Sequence, residues 1–270
     1  MAHFIMKTHT EYGNIRITDG TTIETKDLFS DSSRQGMIFL HGLGGSARVE
    51  DALTNKLAEN NHVITFSPRN SGGSNGHYTI DKYVSDAREF IQHAKQKLGD
   101  NIIGIGMSTG AYVLAQVLGE EEAVDKAIFI SPLMRMSENI PYVLDKYFKH
   151  CINSGINPFH LKNFRIGEQR FNDGDSLEYL KSVYNAPACT KPIKKPSIAL
   201  MPRGNEFRLP VSMQVLESRM NNWEKLGTKV SLFPKTNHYF SGKWYNGLGE
   251  FYSELVQPEQ FSIISDFVKN

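Results

Sequence analysis

The sequence predicts an α/β fold: a mostly parallel sheet with helices on both faces, antiparallel strands along its N-terminal edge, and a helical insertion. Three observations carry that expectation. Short, uninterrupted apolar runs recur along the chain, as expected of strands buried on both faces. Most are separated by amphipathic helical stretches, the alternation that builds a parallel sheet. One stretch, residues 133–194, breaks the rhythm and is too long for a connecting loop.

The elements run in order. In the first 30 residues IMKTH, NIRIT and TTIET alternate polar and apolar positions, which predicts two or three antiparallel edge strands. GMIFL (36–40) is an apolar strand ending in HGLGG, and Val49, Ala52, Leu53 and Leu57 then share one helical face. HVITF (62–66) is the next strand and stops at Pro68. Residues 79–98 give the clearest helix, with Thr79 as its cap and a stripe of Tyr83, Val84, Ala87, Phe90, Ile91 and Ala94. NIIGIG (101–106) is a strand leading into a small-residue helix from Thr109 to about Leu118. KAIFI (126–130), SIALM (197–201) and KVSLF (229–233) complete the strands. A helix over roughly 210–226 carries Pro210 in its first turn, and a last helix begins near Pro258 with Phe261, Ile264 and Phe267 on one face. Residues 1–132 and 195–270 thus form one core domain, and 133–194 form a mainly helical cap rich in aromatic and basic residues.

Composition excludes several classes. The chain has 270 residues, 40% of them hydrophobic, and its 30 Lys+Arg nearly cancel 29 Asp+Glu. That apolar content is too high for a disordered segment. The balanced charge gives no counterion-release drive toward nucleic acid. Two cysteines, Cys151 and Cys189, suggest reduced thiols and not a disulfide framework. No basic stretch with an apolar run marks a leader, and no window spans a bilayer, so a cytoplasmic protein without an integral membrane segment is the expectation.

The chemistry concentrates at strand ends. Gly106-Met107-Ser108-Thr109-Gly110 is a G-x-S-x-G motif between a strand and a helix. A serine at so sharp a turn is held in a strained backbone that only small neighbours tolerate, and its hydroxyl is thrust clear of the sheet. A glycine-rich turn with a structural serine is the plainer alternative. His41-Gly42-Leu43-Gly44-Gly45 comes after the first apolar strand. The backbone N–H groups of Leu43 and Thr109 are the expected donors to a tetrahedral oxyanion. A phosphate cradle is the lesser reading, because neither G-x-x-x-x-G-K-[ST] nor G-x-G-x-x-G comes after that strand.

His238 lies just past the last predicted strand, where a loop returns to the carboxyl end of the sheet and can bring a base to Ser108. Glu206 is the lone carboxylate of the loop 202–210, placed to orient that histidine, or else paired with Arg203 or Arg208 at the surface. The chain order Ser108, Glu206, His238 is one of the known orders for a Ser-acid-His triad. His41, Gly42, Met107 and Tyr239 flank these groups and are expected to line the substrate site. The sequence offers no metal-ligand spacing such as H-E-x-x-H, and no cofactor is expected.

These motifs resemble the α/β-hydrolase superfamily, and within it the monoacylglycerol lipase, esterase and serine aminopeptidase-like group. The resemblance runs over about residues 36–270, cap included. Ser67-Pro68-Arg69-Asn70-Ser71-Gly72-Gly73-Ser74 is similar to that group's D-x-R-G-H-G-x-S loop, with Arg69, Gly72 and Ser74 matching and Ser67, Asn70 and Ser71 departing from it. Asp86 looks like an aspartate often present in the following helix. Two further departures stand out: Glu206 where the group usually has aspartate, and a long aromatic stretch, 239–257, before the final helix.

The expected function is a serine hydrolase of the carboxylesterase, lipase or thioesterase kind, acting on a small apolar acyl or aryl substrate through an acyl-enzyme. An amide or peptide hydrolase of aminopeptidase type uses the same constellation, and a non-catalytic, receptor-like binding protein can keep the same fold. The cap aromatics serve either as a pocket wall or as the cap's own core. Oligomeric state is open.

Overall fold

In a computed structural model, which describes residues 8–49, 52–140, 142–157, 164–171, 175–202, 212–233 and 258–270, the chain opens with two nine-residue strands. These are β1 (Thr8–Arg16) and β2 (Thr22–Ser30), paired antiparallel from Thr8 opposite Ser30 to Arg16 opposite Thr22. β1 takes in Thr8 and His9 of IMKTH together with Asn14–Arg16 of NIRIT, so among the described residues the edge holds two strands. The chain reverses at 17–21, where Gly20 takes φ 85° and its N–H donates to the Ile17 carbonyl at 2.8 Å.

The strand–helix repeat continues as β3 (Gln35–Leu40), α1 (Ala52–Ala58), β4 (Asn61–Phe66), α2 (Ile80–Leu98), β5 (Ile102–Met107), α3 (Thr109–Glu120) and β6 (Lys126–Ile130). An intervening segment then holds a 3-10 turn (Met136–Asn139), α4 (Tyr142–Ser154), a short hairpin of β7 (Phe164–Ile166) and β8 (Gln169–Phe171), and α5 (Asp175–Asn185). The repeat resumes with β9 (Ser197–Pro202), α6 (Met213–Lys225), β10 (Lys229–Phe233) and α7 (Pro258–Lys269). Alongside the helices anticipated in the intervening segment, the hairpin is a new feature: two three-residue strands are too short to leave a period in the sequence.

One eight-stranded sheet runs in the order β1-β2-β4-β3-β5-β6-β9-β10, antiparallel over its first two pairings and parallel thereafter. Alternation places successive side chains on opposite faces. In β3, Met37 and Phe39 join the core under α1 and α7, whereas Ile38 and Leu40 join the core under α2, α3 and α6. Both faces are therefore dry, which is why these strands read as unbroken apolar runs. Each fully buried aliphatic side chain contributes about 1.5–3 kcal/mol.

Two helix starts differ in detail from expectation. Thr79 occupies the cap position of α2 with extended backbone (φ −138°, ψ 162°), but its hydroxyl makes no cap hydrogen bond. The first helical N–H, that of Ile80, donates to Ser182 Oγ of α5 at 3.1 Å, which ties this helix start to α5. In α6 the cap is Ser212, whose side chain accepts from Val215 N–H, and the helix starts at Met213. Pro210 lies outside the described residues. Among the aromatics of 133–194, Phe171 and Tyr179 are buried and stack at 5.1 Å, and Tyr179 meets Tyr78 at 5.5 Å, so these serve as core. Tyr147, by contrast, is exposed. Both cysteines are free and buried, and burial pushes the Cys189 thiol up to about 12. Among the described residues no helix is long and apolar enough to cross a membrane.

Candidate active site

Ser108 sits between the last residue of β5 and the first of α3, with φ 53° and ψ −116°. A non-glycine residue at positive φ costs on the order of 1–3 kcal/mol and persists only where its surroundings hold it. They do so here: the Ser108 N–H donates to the Ile130 carbonyl at 2.8 Å, and its carbonyl accepts from Tyr112 N–H at 3.1 Å. The glycines on either side are needed for close approach. A Cβ on Gly106 would lie 2.5 Å from the Gly110 carbonyl oxygen, and one on Gly110 would strike the Leu40 carbonyl. The N–H groups of Thr109, Gly110 and Ala111 precede the first intrahelical bond and point from the positive end of α3.

The loop after β3 closes on this serine. A Cβ on Gly42 would stand 3.2 Å from Ser108 Cβ and 3.8 Å from its Oγ, so the backbone at Gly42 lies against the Ser108 side chain. Gly45 N–H donates to the Gly42 carbonyl at 3.1 Å, folding residues 42–45 into a turn, and Leu43 is packed against the α2–α3 core.

His41, at the start of this loop, turns its ring into the sheet. Its side chain is buried, stacked edge-on to Phe39 at 5.0 Å, with Nε2 2.7 Å from Thr65 Oγ1. Thr65 donates its own proton to the Phe39 carbonyl at 2.8 Å, so it accepts from His41 Nε2–H, and that fixes the tautomer. Burial, reinforced by the Lys26 ammonium, pulls the imidazole down to about 3. The ring sits beneath the loop as a neutral donor to Thr65. Met107 is half-buried against the core on the α1–α7 face.

The third loop, after β4, is held by three carboxylates, Asp19, Glu24 and Asp86. Arg69 forms a bidentate pair with Asp86 of α2, at 2.8 Å and 2.7 Å, and its other nitrogen reaches Asp19 at 2.7 Å. The Asp86 carboxylate holds Arg69 well above its ordinary value, while burial pushes the Asp86 carboxyl up against the pull of Arg69. Ser67, which stands where the resembled loop has aspartate, donates to Glu24 Oε2 at 2.9 Å. Gly73 N–H and Arg48 Nε also donate to Glu24, each at 2.8 Å. Burial pushes the Glu24 carboxyl up, and these three donors more than offset it, leaving it below its ordinary value. A carboxylate from β2 thus supplies what position 67 lacks. Nothing in the local sequence TIETK marks it.

Ser108, Thr109, Gly42 and Leu43 are therefore brought together at the carboxyl end of the sheet. Glu206, His238 and Tyr239 lie outside the described residues. Among the described residues no three His, Cys, Asp or Glu side chains gather as a metal ion requires.

A mostly parallel sheet of this order, carrying a serine in a strained strand-to-helix turn, defines an α/β hydrolase. Residues 31–175, more than half of the chain, match the family model described as serine aminopeptidase S33, and the chain belongs to that family. Among solved structures it is similar to the esterase Pf2001 of Pyrococcus furiosus, with 21% identity and a TM-score of 0.65 over 97% of this chain and 90% of that one. It is also similar to E-2-(acetamidomethylene)succinate hydrolase, at 14% identity and a TM-score of 0.64, over 97% of this chain and all of the other. A variant of the N-acyl homoserine lactonase AidH matches at 14% identity and a TM-score of 0.63, with 97% of each chain covered. At these identities the likeness is one of fold. No curated protein sequence matches the chain significantly.

Proposed function

We propose that the protein is a serine hydrolase that cleaves an ester-type bond of a small apolar acyl or aryl substrate. The observation that carries this reading is Ser108 at φ 53°, wedged between glycines at the head of α3 and facing the 42–45 turn. In the proposed mechanism Ser108 Oγ attacks the carbonyl carbon while His238 takes its proton. Glu206 orients the imidazole and stabilises its charged form. The Leu43 and Thr109 amides receive the developing oxyanion, the leaving alcohol or thiol departs with the proton from His238, and water then releases the acyl group. The segment 133–194 acts as a cap over this site. An esterase and a lactonase are among the proteins of like fold, which agrees with an ester substrate, and the amide arm of the assay below decides between ester and amide.

The decisive experiment is Ser108→Ala assayed on p-nitrophenyl esters of rising chain length, with acyl thioesters and aminoacyl amides alongside, together with fluorophosphonate labelling of the unaltered protein. Loss of hydrolysis and of label in a folded variant is expected. Hydrolysis that survives in Ser108→Ala defeats the proposal, and a folded protein that never labels points to a binding protein. Preference for the amides would move the assignment to a peptidase. Glu206→Gln is expected to lower kcat by roughly 10³–10⁴-fold, because it favours the wrong tautomer.

A further inference from the structure

The β7–β8 hairpin belongs to the segment inserted after β6, yet its hydrogen bonds run to the loop that lies against Ser108 and to the neighbouring loop after β4. The Glu168 N–H donates to the Gly44 carbonyl at 2.8 Å, and the Arg170 N–H donates to the Asn70 carbonyl at 3.0 Å. Asn70 Nδ2 returns a bond to the Arg170 carbonyl at 2.7 Å. Gln169 Nε2 reaches the Arg69 carbonyl at 2.8 Å, and Arg170 Nη2 reaches the Gly72 carbonyl at 2.7 Å. Gln169 is only 1% exposed, so the hairpin is seated in the molecule and does not lie loosely over it.

The closest approach is backbone on backbone. Gly44 (φ 84°) faces Gly167 (φ 57°); a Cβ on Gly44 would lie 2.7 Å from the Ile166 carbonyl oxygen, and one on Gly167 would strike the Gly44 carbonyl. Both positions use left-handed backbone that glycine alone adopts freely. The turn 42–45 is thus gripped from two sides: internally by Gly45 N–H on the Gly42 carbonyl, and externally by Glu168 N–H on the Gly44 carbonyl. Peptide planes are rigid, so fixing carbonyl 44 and carbonyl 42 also fixes the direction of the amide at Leu43 between them.

We infer that the β7–β8 hairpin is a positioning element for the chemical step, holding the 42–45 turn so that the Leu43 amide faces the carbonyl attacked by Ser108. This deepens the proposed function and rests on it. A cap that merely enclosed substrate would govern which substrates bind. This one also sets the rate, because an oxyanion donor works only where the charge develops.

The test is Gly167→Ala, whose methyl group displaces the Gly44 carbonyl. It is compared with Gly155→Ala, which puts the same strain at φ 66° elsewhere in the insert with nothing within 4 Å. Expected for Gly167→Ala is a fall of about 10–100-fold in kcat and in the fluorophosphonate labelling rate. KM should stay within about twofold, since ground-state binding is untouched. Gly155→Ala should leave both rates unchanged. If Gly167→Ala does not fold, Arg170→Ala decides, with a several-fold fall in kcat and the same split. A folded variant with unaltered kcat, or one in which KM alone rises, overturns the positioning role. Absence of label on Ser108 in the unaltered protein instead overturns the nucleophile reading beneath it.

Discussion

Two serines end neighbouring parallel strands at positive φ, and only one of them opens a helix. Ser108, after β5, takes φ 53°, and Ser131, after β6, takes φ 49°; these two and Asn70 are the non-glycine residues with positive φ among the described residues. Both are buried, and both N–H groups donate to a carbonyl of an adjacent strand, Ile130 and Leu200 respectively. The difference lies in the next residue of the chain. After Ser108 comes Thr109, whose N–H opens a helix and has no intrahelical partner. After Ser131 comes Pro132, which has no N–H to give an oxyanion. Gly42 brings a second backbone against Ser108 as well. Strain marks a position that the fold over-determines; the donors around Ser108 are what the proposed chemistry requires of it.

The largest expected effect breaks the pair apart. Ser108→Ala should reduce kcat/KM on a p-nitrophenyl ester by roughly 10⁴–10⁶-fold. Ser131→Ala should stay within about tenfold of the unaltered rate, because it removes no group of the proposed machinery. Both are read by steady-state kinetics on protein whose fold is verified by circular dichroism. A large loss in Ser131→Ala would mean that the carboxyl end of β6 holds part of the site.

The contrast also shows what the sequence displays and what it hides. The strand at 126–130 coincides with the expected run because burial on both faces leaves an unambiguous apolar signature, and the edge strand at 229–233 coincides with its run although only Phe233 of it is buried. Ser108 is legible because Gly106 and Gly110 must be small, and small residues at fixed spacing show in the chain itself. Ser131 is not: its strain comes from tertiary contacts, and Ser-Pro after a strand is ordinary sequence. The β7–β8 hairpin is hidden for the same reason, since its bonds to residues 44, 69, 70 and 72 cross about a hundred positions. The role of His41 is hidden too, because its neighbours in sequence face the site while its ring turns toward Thr65.

A second prediction uses that ring to sharpen the difference between the two loops, since His41 underlies the one that serves Ser108. Its imidazole titrates at about 3 in the folded chain, against 6.5 for an ordinary histidine. Between those values the unfolded chain holds a proton that the folded chain does not, so stability falls as pH drops from about 6.5. The slope approaches 1.4 kcal/mol per pH unit at about pH 5. His41→Gln keeps an N–H for Thr65 and cannot titrate. Urea denaturation of this variant at pH 7 and pH 5 should show a smaller acid loss than the unaltered protein, by about 1–2 kcal/mol. An identical pH dependence would mean that the buried ring gains its proton without cost, and that the brace beneath the 42–45 turn is weaker than its geometry implies.

The smallest effect restores the likeness of the two serines. Glycine adopts positive φ without the steric penalty, so Ser108→Gly and Ser131→Gly should each relieve strain. Part of that gain is lost again to the greater entropy of glycine in the unfolded chain, leaving about 0.5–1 kcal/mol of net stabilisation at either site. In urea denaturation the two variants should therefore look alike. In hydrolysis they should look opposite, with Ser108→Gly inactive and Ser131→Gly close to normal. Stabilisation at Ser108 alone would mean that the bond from Ser131 to Leu200 already compensates its strain. Stabilisation at both, with activity lost at one, would show that the fold tolerates the same backbone cost twice and draws chemistry from it once, where a helix and a glycine turn supply the donors.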